Sequence, residues 1–161
     1  MPSREKPDDI WSRFALSVFK LNGLLTLAGE GITQPIGQSS ARWQILGRVG
    51  LEPQTVAQLA RDIGHARQSV QRLADILAKE GLVAYKDHPT DQRTKLLELT
   101  PQGMEVLTAI YARQLEWSEQ IVTKLNSKQL AEVTRSLERL GQMLEVELNL
   151  SNESDHERSD T

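Results

Sequence analysis

The sequence predicts a mainly α chain with one two-stranded hairpin set among its helices. Three observations lead there. The stretch from Arg61 to Gly103 reads as helix, tight turn, second helix, hairpin and capped helix start. The apolar residues at both ends of the chain recur at helical spacing. Gly64, Gly81 and the run Asp87-His88-Pro89-Thr90-Asp91-Gln92 stand where elements have to break.

Taken in order, Asp8 or Asp9 caps a first helix that runs to about Ala28. It carries Ile10, Trp11, Phe14, Ala15, Val18, Phe19, Leu21, Leu24 and Leu25, more apolar surface than one short face requires. Gly29 to Ser40, with Gly31, Pro35 and Gly37, reads as the loop after it. Ser40 to Val49 is a short amphipathic helix bearing Trp43, Ile45, Leu46 and Val49. Thr55-Val-Ala-Gln58 has the form of a capping box and opens a helix from Val56 to Ile63, with Val56, Leu59, Ala60 and Ile63 at core spacing. Gly64 ends it, free to take positive φ. After His65 and Ala66 a second helix runs from Arg67 to Glu80.

Two helices joined by a short turn containing Gly form a helix-turn-helix. In the second helix Val70, Leu73, Ala74 and Leu77 share one face, and Arg67, Gln68, Gln71, Arg72 and Asp75 take the other. Side chains of the latter types bond base edges, Arg to guanine and Gln to adenine. They are equally the make-up of a solvated helix face. Gly81 closes the helix, Leu82 to Lys86 reads as a strand, and Arg93 to Leu99 returns as its partner. This hairpin is a wing, with Lys86, Arg93 and Lys95 near its tip. Arg93 suits a narrow minor groove, and Asp91 is placed to hold its guanidinium by a charge-assisted pair. Thr100-Pro101 then supplies an N-cap and a proline at the first helical position.

Asp91-x-Arg93, followed by Leu99-Thr100-x-x-Gly103 after a helix ending in Glu80-Gly81-Leu82-Val83, resembles the signature of the MarR family of bacterial transcription regulators. The run Arg67-Gln-Ser-Val70-x-x-Leu73 is similar to the start of that family's recognition helix. The resemblance runs most closely from about Val56 to Gly103, and the helix layout agrees from about Asp8 to Leu148. It implies a DNA-binding winged helix-turn-helix over 40–100, with Arg67, Gln68, Ser69, Gln71, Arg72, Lys86, Asp91, Arg93 and Lys95 at the DNA. Among them Gln68, Ser69, Gln71 and Arg72 are the expected base readers, with Arg67 at phosphate.

A long helix follows from Pro101 to Leu125, and a last one from Lys128 to about Leu148, capped by Ser127. In the last helix Leu130, Val133, Leu137, Leu140 and Leu144 are spaced three, four, three, four, a seam for another helix. A C2 homodimer built on residues 8–30 and 101–148 would bury what one small domain cannot, with Ile10, Phe14, Val133, Leu137, Leu140 and Leu144 at its centre. Residues 149–161 are polar and acidic and are expected to be a disordered tail on a single domain spanning 1–161. The resemblance further implies an effector site where the dimer helices meet the winged unit. Trp11, Phe14, Trp43 and Tyr111 are placed for a small aromatic or phenolic ligand there, or simply for core packing.

Composition narrows the remaining classes. The chain has 161 residues, no cysteine and three histidines, His65, His88 and His156. Disulfides and cysteine-based peroxide sensing are therefore excluded, and no zinc site is expected from histidines scattered over turn, wing and tail. No cofactor and no catalytic site are expected, since the chain has no glycine-rich phosphate loop and no nucleophile motif. Met1 to Lys6 is polar without an apolar core behind it, and no apolar run approaches membrane-spanning length, so a cytoplasmic protein without membrane contact is expected. The formal net charge is −3. Between 41 and 100, however, nine basic residues face seven acidic ones, which places a balance of +2 on the reading unit. The expected partners are a double-stranded DNA operator and a second copy of the chain. A non-specific architectural DNA-binding protein and a winged-helix protein-interaction module remain as alternatives.

Overall fold

The computed structural model describes the backbone of residues 7–158 and the side chains of 8–148. The chain divides into two compact units, residues 1–115 and 116–161.

The first unit starts with α1, Pro7–Thr33, which runs on into the segment expected to be a loop. Gly29 does not break the helix. A Cβ there would stand 2.6 Å from the Ser40 hydroxyl oxygen, so the glycine is a point of close approach between this helix and the next. The helix is then held to its end by further contacts. Thr33 Oγ1 donates to the Gly29 carbonyl at 2.8 Å, Glu30 accepts the Ser40 amide at 2.9 Å, and Ile32 and Thr33 are buried. A 3-10 turn at Gln34–Ile36 leads to α2, Ser40–Leu51, whose N-cap is Ser39.

The strand β1, Gln54–Thr55, is an element that the sequence pattern does not predict. Two residues are too few to show alternation, and Thr55 doubles as the N-cap of α3, Val56–Ile63. Both halves of the expected capping box form: Gln58 N donates to Thr55 Oγ1 at 3.2 Å, and Thr55 N to Gln58 Oε1 at 2.8 Å. Gly64 ends the helix at φ 74. Then come α4, Arg67–Lys79, β2, Val83–Asp87, and β3, Lys95–Leu99. The sheet is antiparallel and three-stranded in the order β1-β3-β2, where a two-stranded hairpin was expected. Tyr85 pairs with Leu97, Asp87 with Lys95, and Gln54 with Leu97 on the other side.

Helix α5, Pro101–Val122, starts at the Thr100 cap, whose hydroxyl accepts the Gly103 amide at 2.9 Å and donates to the Gly81 carbonyl at 2.6 Å. The core of this unit gathers Ile45, Leu46 and Val49 of α2, Leu59 of α3, and Val70, Ala74 and Leu77 of α4 beneath Leu97, Leu107 and Ile110. The apolar face read for α4 is therefore the buried one.

In the second unit α6 spans Ser127–Arg158. Its cap is Asn126 rather than Ser127: Asn126 Oδ1 accepts the amides of Lys128 and Gln129 at 3.0 and 3.3 Å. The helix passes the expected end near Leu148, and no glycine or proline lies between Asn149 and Arg158 to stop it. Of the tail expected at 149–161, residues 159–161 and the side chains from 149 onward lie outside the described residues. Leu130, Val133, Leu137 and Leu144 are solvent-exposed in the single chain and Leu140 nearly so, as are Ile10, Trp11 and Phe19 of α1 in the first unit. No helix among the described residues is long and apolar enough to cross a membrane.

Candidate nucleic-acid interface

With Val70, Ala74 and Leu77 fixed in the core, α4 turns Arg67, Gln68, Ser69 and Arg72 to solvent. Among the described residues these four side chains have neither hydrogen bond nor ion pair, so nothing inside the chain competes for their polar groups. A shallow groove along the outer surface of α4 is lined by Gln68, Gln71, Arg72, Asp75, Ile76 and Lys79. The helix is braced at its end by Arg42 of α2, whose guanidinium grips both oxygens of Glu80. That hydrogen bond, against the opposing effect of burial and with the help of Arg42's charge, holds the Glu80 carboxyl below its usual range.

Gln71 is the exception on this polar face. Its Nε2 donates to Asp75 Oδ1 at 2.9 Å and to the Tyr85 hydroxyl at 2.8 Å, and that hydroxyl donates to Asp75 Oδ1 at 2.6 Å. Burial first, then the bond to Asp75 and its charge, push the Tyr85 phenol up to about 12. Sequence reasoning did not include Tyr85 in the site. Its signal was the strand register, since Tyr85 shares a strand face with the buried Val83 and so leans toward α4.

The wing places Arg93 in the tip loop, not in the returning strand, which starts two residues later at Lys95. Asp91 secures the backbone there rather than the guanidinium. Its Oδ1 accepts the Arg93 amide at 2.9 Å and its Oδ2 the Thr94 hydroxyl at 3.4 Å, a local turn closed by a short polar side chain on its own backbone. His88 Nδ1 completes the tip by accepting the amides of Asp91 and Thr90 at 3.1 and 3.3 Å. The Arg93 guanidinium makes no ion pair among the described residues. Lys95 is engaged by Asp87, whose carboxyl is held low by that hydrogen bond and by the lysine's charge. Lys86 lies 3.4 Å from Glu98 across the hairpin, with both side chains mostly in water. Such exposed pairs exchange readily for phosphate.

Of the four aromatic residues expected at an effector site, Trp11 and Phe14 form a ring pair. Trp11 and Phe14 tilt at 36° with ring centroids 5.7 Å apart. Tyr111 Oη and the Trp43 indole both border Gly47, 3.6 and 4.0 Å from where a Cβ would stand. Trp43 also packs on the core.

A family model described as the MarR family matches residues 36–94. An uncharacterized protein of Mycobacterium tuberculosis is 35% identical over 136 residues, covering 84% of this chain and 95% of its own length. Among solved structures, the transcriptional regulator BldR from Sulfolobus solfataricus superposes with a TM-score of 0.72 at 18% identity, over 83% of this chain and 97% of its own. Staphylococcus aureus MarR, in complex with salicylate and kanamycin, superposes with a TM-score of 0.69 at 18% identity, over 84% and 92% of the two chains.

Proposed function

Because this chain belongs to the MarR family of winged-helix DNA-binding transcription regulators, we propose that it acts as a homodimeric repressor on a pseudo-palindromic operator. The observation that carries this reading is the set of exposed, unengaged side chains on α4, Gln68, Ser69 and Arg72, beside an Arg93 held at the wing tip by its backbone. Gln68 and Arg72 meet base edges in the major groove, Arg67 meets phosphate, and Arg93 enters the flanking minor groove. Lys86 and Lys95 exchange their carboxylate partners for phosphates, and Asp91 acts indirectly by fixing the tip.

Dimerisation is supported by the apolar residues that one chain leaves in water. Ile10 with the half-buried Phe14 on α1, and Val133, Leu137, Leu140 and Leu144 on α6, are covered by a second copy. The chain as a whole then serves as one regulatory domain in the cytoplasm, where the chromosome is. The effector is a small aromatic or phenolic acid, in line with the salicylate held by the S. aureus relative. It lodges at Trp11, Phe14, Trp43 and Tyr111 and favours a spacing of the reading heads that misses one half-site.

The test is to sequence genomic fragments retained by the purified protein and to measure its mass in solution. A dimer retaining two inverted half-sites about 34–36 Å apart is the expected result. Equal retention of random duplex would favour an architectural role. A chain that ignores all duplexes at low salt but co-purifies with a partner protein would overturn DNA binding altogether.

A further inference from the structure

We propose that Tyr85 is a specificity-determining positioning residue, which holds the Gln71 amide from the wing so that Gln71 meets DNA only as an acceptor. The inference rests on the reading of α4 as the base-reading helix. An unrestrained glutamine recognises adenine through two bonds, its oxygen accepting from N6 and its nitrogen donating to N7. Here Nε2 is already engaged, donating to Asp75 Oδ1 and to the Tyr85 hydroxyl.

Chemistry fixes this orientation of the amide. An ionised carboxylate only accepts, so the Gln71 atom facing Asp75 is the nitrogen. Tyr85 has a single hydroxyl hydrogen, directed to Asp75 Oδ1, and its oxygen is left to accept from Gln71. The three groups close a ring of hydrogen bonds that joins Nε2, Asp75 Oδ1 and the Tyr85 hydroxyl. Of Gln71's polar atoms, Oε1 takes no part in that ring. The residue borders the same groove as Gln68 and Arg72, within reach of a bound duplex.

An acceptor alone cannot single out adenine. In the major groove the exocyclic donors are adenine N6 and cytosine N4, whereas guanine and thymine present O6, N7 and O4 acceptors on their own edges. The base facing Gln71 is therefore adenine or cytosine, and guanine and thymine are rejected by opposed lone pairs. Tyr85 converts a residue type that ordinarily reads one base into a reader of two.

The experiment is in vitro selection from a randomised operator with the full chain and its Y85F, D75A and Q71A variants, with circular-dichroism melts to show that each is folded. Q71A identifies the Gln71-dependent position by flattening it. The wild-type protein should hold adenine and cytosine there within about twofold of each other, and both about tenfold above guanine and thymine. Y85F and D75A each take one acceptor away from Nε2 and open it to purine N7, so each should shift that position to adenine over cytosine by about fivefold or more, leaving other positions unchanged. D75A carries the test if Y85F does not fold. An intact motif whose Gln71-dependent position takes adenine alone in the wild type, or does not respond to either variant, overturns this inference only. A wild-type protein that selects no sequence overturns the base-reading helix itself, and the inference with it.

Discussion

Arg42 of α2 clasps Glu80, the residue that caps the C-terminal end of α4, through its two terminal guanidinium nitrogens, Nη1 and Nη2. Helix α4 is thereby anchored at the end opposite to Arg67, Gln68 and Ser69. Arg42's side chain is 15% exposed, and among the described residues its Nε has no acceptor, so Glu80 is the carboxylate that balances a mostly buried cation. Removing it leaves that cation uncompensated.

E80Q should therefore destabilise the fold by about 1 kcal/mol at neutral pH, at the upper end for a surface-accessible pair because the contact is bidentate. The pH dependence follows from the lowered Glu80 value. A carboxyl held below its ordinary 4.5 contributes fully above that pH and loses its contribution as pH falls through the lowered value. Denaturant melts of wild type and E80Q should converge in acid. A gap that persists undiminished however far the pH falls below 4.5 would show that Glu80 acts by packing and not by charge.

Tyr85 gives the opposite sign at the other end of the scale. A phenol raised from 10.0 to about 12 holds its proton more tightly in the folded state. Its contribution is complete below about pH 10 and is lost as pH rises through about 12. Since the chain has two tyrosines, Tyr85 and Tyr111, a near-ultraviolet titration of the folded protein should show one ionisation at about 12 that vanishes in Y85F. Ionisation of both tyrosines near the ordinary value of 10.0 would break the closed ring with Gln71 and Asp75.

What the sequence made legible was the set of local signals. Thr55 and Gln58 announce a capping box, Gly64 and Gly81 a left-handed stop, and Val70, Ala74 and Leu77 a buried stripe; each depends on residues within one or two turns. What stayed hidden depends on distant partners. Gly29 reads as a breaker until Ser40 is seen against it, and β1 exists only because Leu96 and Leu97 are there to pair with it. The site divides in the same way. Exposed Gln68 and Arg72 follow from helical period alone. The engagement of Gln71 needs a tyrosine fourteen residues away, and Asp91's grip on the Arg93 amide rather than its side chain needs the turn geometry.

Gly103 shows how a short signature encodes a contact. A Cβ at this position would stand 1.9 Å from the Leu82 carbonyl oxygen and 2.8 Å from Leu99 Cδ1, where the start of α5 crosses the entry to β2. A backbone carbonyl cannot yield as a side-chain end can. G103A should cost about 3 kcal/mol or more, at the top of the overpacking range. Gly31 of α1 is the control, because a Cβ placed there would meet nothing within 4 Å. G31A should stabilise by about 0.5–1 kcal/mol through the unfolded chain. Thermal melts of the two variants should move in opposite directions, and a neutral G103A would mean that α5 is free to slide off the sheet.

The proposed roles of Arg72 and Arg93 separate two ways of holding DNA. Arg72 lies on the groove of α4 with its guanidinium unengaged among the described residues, so it is free for the paired acceptors of a guanine edge. Arg93 projects from a tip fixed by Asp91 and His88, and its proposed contacts are with backbone and groove width instead of a base pattern. R72A should blur preference at one position in each half-site, with a discrimination loss of about 1–3 kcal/mol. R93A should weaken binding to nearly all duplexes alike and reduce the salt slope by about one unit per head, because one cation leaves the phosphate field. Fluorescence anisotropy on a panel of single-base operator variants at several salt concentrations distinguishes them. Equal losses across the whole panel for both variants would place Arg72 at the phosphates and leave sequence choice to Gln68 and Gln71.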